Sequence, residues 1–141
     1  MNDIRILLVP AAGWIVAQLL KYLFELHKDG FQIKDLYTSG GFPSSHASST
    51  VSLATYIGLI NGWGSSIFAL AALMAAVVMY DSLGVRRTVQ EHTRILQSLS
   101  EKDKLSIKIR NASTGRGHTP KEVLGGLVTG VMVGLVFAAL M

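Results

Sequence analysis

Gly40-Gly41-Phe42-Pro43-Ser44-Ser45-His46 runs directly into the largely apolar stretch 47–60. A polar, glycine-rich loop that opens onto such a stretch reads as the mouth of a membrane helix. Two glycines let the backbone come close to a ligand, and Pro43, with its fixed φ, suits the first turn of a helix whose unbonded amides face the loop. Such a helix start favours anions, phosphate among them. Ser44 and Ser45 add hydroxyls, and His46, about one turn in, carries a ring whose ordinary pKa is about 6.5. Taken alone, the loop reads more readily as a plain N-cap than as a phosphate site, so its meaning depends on what the rest of the chain brings to it.

Half of the 141 residues are hydrophobic and the mean hydropathy is +0.41. The apolar residues gather into segments near the roughly 20 residues that span a bilayer. The expected fold is therefore all-α: one domain, 1–141, forming a polytopic membrane bundle of about four transmembrane helices plus interfacial helices. There is no cysteine, so disulfides and thiolate metal sites are excluded. Nine of the thirteen Lys and Arg residues fall between Arg86 and Lys121. That clustering suits a loop facing anionic lipid headgroups, and no interleaving of aromatic and basic residues suggests nucleic acid.

The expected spans are about 4–24, 43–60, 65–80 and 122–141. The first carries Pro10 and Gly13 as kink points and Lys21 near its end; without a basic leader or a small-residue cleavage site it reads as a mature helix rather than a signal peptide. On this segment alone Lys21 is as well explained by snorkelling to the interface as by function. Residues 25–39 form a charged connector. Asn61-Gly62-Trp63-Gly64 is a short turn, which predicts antiparallel neighbours, and the alanine-rich third segment runs into Asp81 and then Arg86-Arg87. Val89, Ile95, Leu96 and Leu99 suggest an amphipathic surface helix, whereas 101–114 fits no secure element. Thr119 and Glu122 have capping-box spacing. Gly126, Gly130 and Gly134 recur every four residues, a smooth face for another helix of this chain or of a second copy.

Four spans in series put the connector 25–42 and the loop 81–121 on one side of the membrane. Lys21, the Gly41–His46 loop, Asp81, Arg86, Arg87, His118 and Glu122 then share one face, which the positive-inside rule assigns to the cytoplasm of a cell (inner) membrane.

These residues resemble the divergent branch of the type 2 phosphatidic acid phosphatase superfamily. Gly41-Phe42-Pro43-Ser44-Ser45-His46 is similar to its Pro-Ser-Gly-His motif with Ser45 in place of glycine, and Gly117-His118-Thr119-Pro120-Lys121-Glu122 to the end of its third motif. Ala17-Gln18-Leu19-Leu20-Lys21, Met79-Tyr80-Asp81 and Gly84-Val85-Arg86-Arg87 extend the resemblance over most of the chain. It departs from the superfamily in three ways. The first motif is reduced to Lys21. Ala112 stands where an arginine precedes the nucleophile. Four spans replace a six-helix core.

The resemblance implies phosphoryl transfer from a membrane lipid phosphate through a phosphohistidine, with neither metal nor cofactor. His118 would be the nucleophile, Glu122 would hold its other nitrogen, and His46 would protonate the leaving oxygen. Lys21, Gly41, Ser44, Ser45, Arg86 and Arg87 would bind phosphate, with Asp81 in support. His92, six residues after Arg86, is the weaker candidate nucleophile because Leu96, not an acid, lies four residues on. Phosphatidylglycerophosphate, phosphatidate and polyprenyl diphosphates are candidate substrates. A non-catalytic binder or carrier of lipid phosphate is the alternative, and a homodimer is one way to supply missing helices.

Overall fold

A computed structural model describes residues 5–25, 41–84, 88–89, 91–93, 95–96 and 118–140. Four helices carry the fold: α1 (Arg5–Glu25), α2 (Ser45–Asn61), α3 (Ser66–Leu83) and α4 (Pro120–Leu140). They match the expected spans to within three residues at each end. The short stretches at 88–89, 91–93 and 95–96 are also helical, with Val89, Ile95 and Leu96 exposed. The connector 26–40 and the loop 97–117 lie outside the described residues.

The bundle is organised around α2, which packs against the other three helices; α4 also touches α1 and α3, while α1 and α3 do not meet. α1, α3 and α4 are long and apolar enough to cross a membrane. Their outward faces carry Leu7, Leu19, Leu70, Leu73, Leu124 and Met132, all exposed, as expected where lipid rather than water is the solvent. α2 is shorter and rich in serine and threonine, and Ser48 and Ser52 are fully buried. Enclosure by its neighbours explains how a helix of that composition sits in the middle of an apolar bundle.

Small and hydroxylated residues set the contacts of α2. Ser48 Oγ donates to the Gly13 carbonyl at 2.8 Å and Ser49 Oγ to the Pro10 carbonyl at 2.9 Å, both on antiparallel α1. α1 stays helical through Pro10 and Gly13, and Gly13 allows close approach: a Cβ there would lie 2.9 Å from the Ser48 carbonyl oxygen. On the other flank, α4 runs parallel to α2. Gly126 lies against Ser44 and Ala47, Gly130 against Ser48 and Val51, and Gly134 against Ser52 and Thr55. The glycine stripe therefore meets a helix of its own chain. Val51, Ala54 and Ala75, with Ala71, Met79, Leu127 and Val131 around them, close the core between α2, α3 and α4.

The tight turn before α3 follows from its residues. Gly62 adopts φ 87°, Ser65 caps α3 by accepting from the Phe68 amide, and Trp63 packs edge-on to Phe68 at 5.0 Å.

Candidate functional site

The up-and-down order with parallel α2 and α4 brings four termini to one end: the last turns of α1 and α3 and the first turns of α2 and α4. Direct contacts tie them together. The Ser44 amide donates to the Glu122 carbonyl at 2.9 Å, the His118 amide donates to the Ser82 carbonyl at 3.1 Å, and Phe24 packs edge-on to Phe42 at 5.5 Å. Of the residues expected to share this end, Ser44, His46, His118 and Glu122 are brought together directly.

α4 begins with a reciprocal cap. The Glu122 amide donates to Thr119 Oγ1 at 3.4 Å, and Glu122 Oε2 accepts from the Thr119 amide at 2.9 Å, with Pro120 as first helical residue. The same Oε2 lies 3.2 Å from His118 Nδ1. One carboxylate thus makes both the capping contact and the contact with the His118 ring. Because a carboxylate accepts, the contact assigns the proton to Nδ1 and leaves the lone pair on Nε2, an atom withdrawn from solvent in a side chain only 3% exposed. His46, the second residue of α2, faces it with ring centres 6.1 Å apart and planes at 61°.

Lys21, four residues before the end of α1, is 4% exposed, so it is enclosed by the bundle and does not snorkel along the lipid face. Gly41 has φ 92°, a left-handed conformation that explains glycine there. Pro43 corrects an expectation: it precedes the helix, and Ser44 is the N-cap, its Oγ accepting from the Ala47 amide at 3.4 Å. A serine cap satisfies an amide that proline in the first turn would have left to solvent or ligand. Ser44 is consequently engaged on three sides, through its amide, its hydroxyl and its carbonyl, which accepts from the Ser48 amide. Ser45 is buried beside it. Asp81 lies inside α3, which continues to Leu83 rather than ending near Tyr80. Arg86 and Arg87 lie outside the described residues. His92 is exposed, in contrast to His118. Among the described residues, no group of three or more His, Asp or Glu is placed to hold a metal ion.

Two parallel helices presenting their N-termini side by side add the positive ends of two macrodipoles, about half an elementary charge each, to the charge of Lys21. An imidazole pair beneath such a field, His118 buried and His46 partly exposed, can bind an anion and exchange protons with it. Phe42, which sequence reasoning passed over, seats its ring where a Cβ on Gly125 would fall, and so ties the loop to α4.

The family model described as the divergent PAP2 family matches residues 2–133. The chain belongs to the divergent PAP2 family. A relative similar to it is the uncharacterized membrane protein YuiD of Bacillus subtilis (strain 168), 33% identical over 150 aligned residues that cover 94% of this chain and 92% of the relative. No solved structure matches. Membership in the divergent PAP2 family agrees with the resemblance carried by His46 and His118, and with a location in a membrane.

Proposed function

We propose that the protein is a membrane phosphatase acting on a lipid phosphate or diphosphate. The observation that carries this reading is the single carboxylate of Glu122 orienting His118, 3.2 Å from Nδ1, while the ring of His46 stands 6.1 Å from that of His118. A binder needs fixed cations but has no use for an oriented imidazole facing a second one.

In the proposed reaction, His118 Nε2 attacks phosphorus as the bond from phosphorus to the lipid oxygen breaks. The leaving oxygen takes a proton from His46. Water then attacks the phosphohistidine, giving its proton to His46, and the P–N bond breaks to release inorganic phosphate. For a diphosphate the leaving group is the lipid monophosphate. Lys21 and the helix N-termini offset the charge on the phosphoryl oxygens; a loose transition state asks for such positioning and charge more than for further covalent chemistry. All of these described groups come from one chain, so the imidazole pair does not depend on a homodimer. Arg86 and Arg87 are assigned to the same task by resemblance to the family, and the basic loop, through the positive-inside rule, supports a site on the cytoplasmic side.

The test is phosphate release from detergent-solubilised phosphatidate, phosphatidylglycerophosphate and a polyprenyl diphosphate, with and without vanadate. Wild type should release phosphate from at least one of them, vanadate should inhibit, and His118→Ala should fall to background while remaining folded. Lipid phosphate binding without release from any of the three would favour the carrier reading. The chain lacks cysteine, so one cysteine introduced at Lys102 reports sidedness by labelling; labelling only from outside the cell would overturn the cytoplasmic assignment.

A further inference from the structure

An open, almost wholly apolar groove of about 450 Å³ runs between α1 and α4 beside this site, lined by Leu20, Phe24, Phe42, Leu124, Val128 and Lys121. The end nearest Glu122 is its polar end by the Lys121 charge alone, and Thr129 lies at the other end. Glycine at 125 makes room for the Phe42 ring that forms part of the wall, and Phe24 supports that ring edge-on. From Lys121 to Val128 the groove follows seven residues of α4, about 10 Å at 1.5 Å per residue. Its polar end is therefore level with Glu122 and the site, and its apolar end points toward the middle of the bundle. Phe42 is two residues before Ser44 and four before His46, so one short loop borders both the groove and the imidazole pair.

In a bilayer an apolar groove gains nothing by hiding from water, since the surrounding lipid is equally apolar. Any hydrocarbon tail fits its walls; what can select is the charge at its mouth. There Lys121 and the start of α4 favour a lipid with an anionic headgroup over a neutral or zwitterionic one. We propose that this groove is the subsite for one hydrocarbon chain of the phosphate lipid, with Phe42 and Val128 as its walls and Lys121 marking the headgroup end; the proposal rests on the lipid-phosphate reading above.

The experiment uses the full chain in lipid nanodiscs and a phosphatidate with a diazirine in mid-chain, adducts being mapped by mass spectrometry. It is run on wild type and on His118→Ala, so that labelling is judged independently of turnover and a failure of the phosphatase reading is seen separately, as absent phosphate release. Adducts should concentrate on residues 20, 24, 42, 124 and 128. Excess unlabelled phosphatidate should compete, and phosphatidylcholine with the same chains should not. Val128→Trp and Leu124→Trp, which fill the groove, should each cut these adducts at least fivefold, whereas Met132→Trp, on the exposed face of α4 beyond the groove, should not. Equal labelling of Leu70, Leu73 and Met74 on α3, or equal competition by phosphatidylcholine, would mean ordinary surrounding lipid and would overturn the proposal.

Discussion

Replacing Gly130 by alanine places a methyl group where α2 leaves no room for one. The added Cβ would stand 2.7 Å from the Ser48 carbonyl oxygen, 2.8 Å from Val51 Cβ and 3.0 Å from the Ser52 amide nitrogen. Ordinary contact begins near 3.4 Å, so the nearest neighbour must retreat by about 0.7 Å. All three partners are backbone or Cβ atoms, which cannot swing aside, so the two helices have to separate. Overpacking of this kind costs about 1–3 kcal/mol, and the rigidity of the partners argues for the upper end. Alanine's better helix propensity returns about 1 kcal/mol, leaving a net destabilisation of about 2 kcal/mol. By the scaling that holds for soluble domains near this size, that lowers Tm by about 4–8 °C. Thermal unfolding in detergent, followed by circular dichroism, measures it, with Gly64→Ala as control because nothing lies within 4 Å of a Cβ there. If Gly130→Ala melts at or above the wild-type temperature while Gly64→Ala is neutral, α2 and α4 are not in the contact described.

Two further outcomes follow from individual contacts. Glu122→Gln keeps an acceptor for the Thr119 amide but removes the charge beside His118 Nδ1; a hydrogen bond to a charged group is worth about 1.5–3 kcal/mol, so phosphate release should fall roughly 10- to 150-fold with Tm changed little, and an unchanged rate would remove Glu122 from the mechanism. Ser48→Ala deletes the 2.8 Å bond to the Gly13 carbonyl and should cost about 0.5–1 kcal/mol in chemical unfolding, since hydrogen bonds between membrane helices are weak; a loss above about 2 kcal/mol would mean that Ser48 holds more than α1.

The sequence made the helices and their order legible because apolar length and turn residues are local signals. The pairing of His118 with Glu122 was legible for the same reason, as i and i+4 at a helix start are neighbours whatever the rest of the chain does. What hydropathy could not convey is that α2 lies at the centre: a serine-rich stretch gives the same reading whether its hydroxyls meet water or the carbonyls of Pro10 and Gly13. The partner of the glycine stripe was equally open, since Gly126, Gly130 and Gly134 state only that something comes close. Pro43 misled because proline suits both the first helical position and the one before a serine cap, and only the three-dimensional arrangement distinguishes them. Phe42 and the groove went unseen because a single exposed aromatic in a loop has no periodicity to betray its neighbours.

Glu122 Oε2 serves Thr119 and His118 at once. In the proposed phosphatase this leaves no reserve between order and competence at that corner: when the first turn of α4 frays, the imidazole loses its bearing in the same instant. Warming should therefore silence turnover while the rest of the bundle is still intact, and an anion resting on those amides would guard both together.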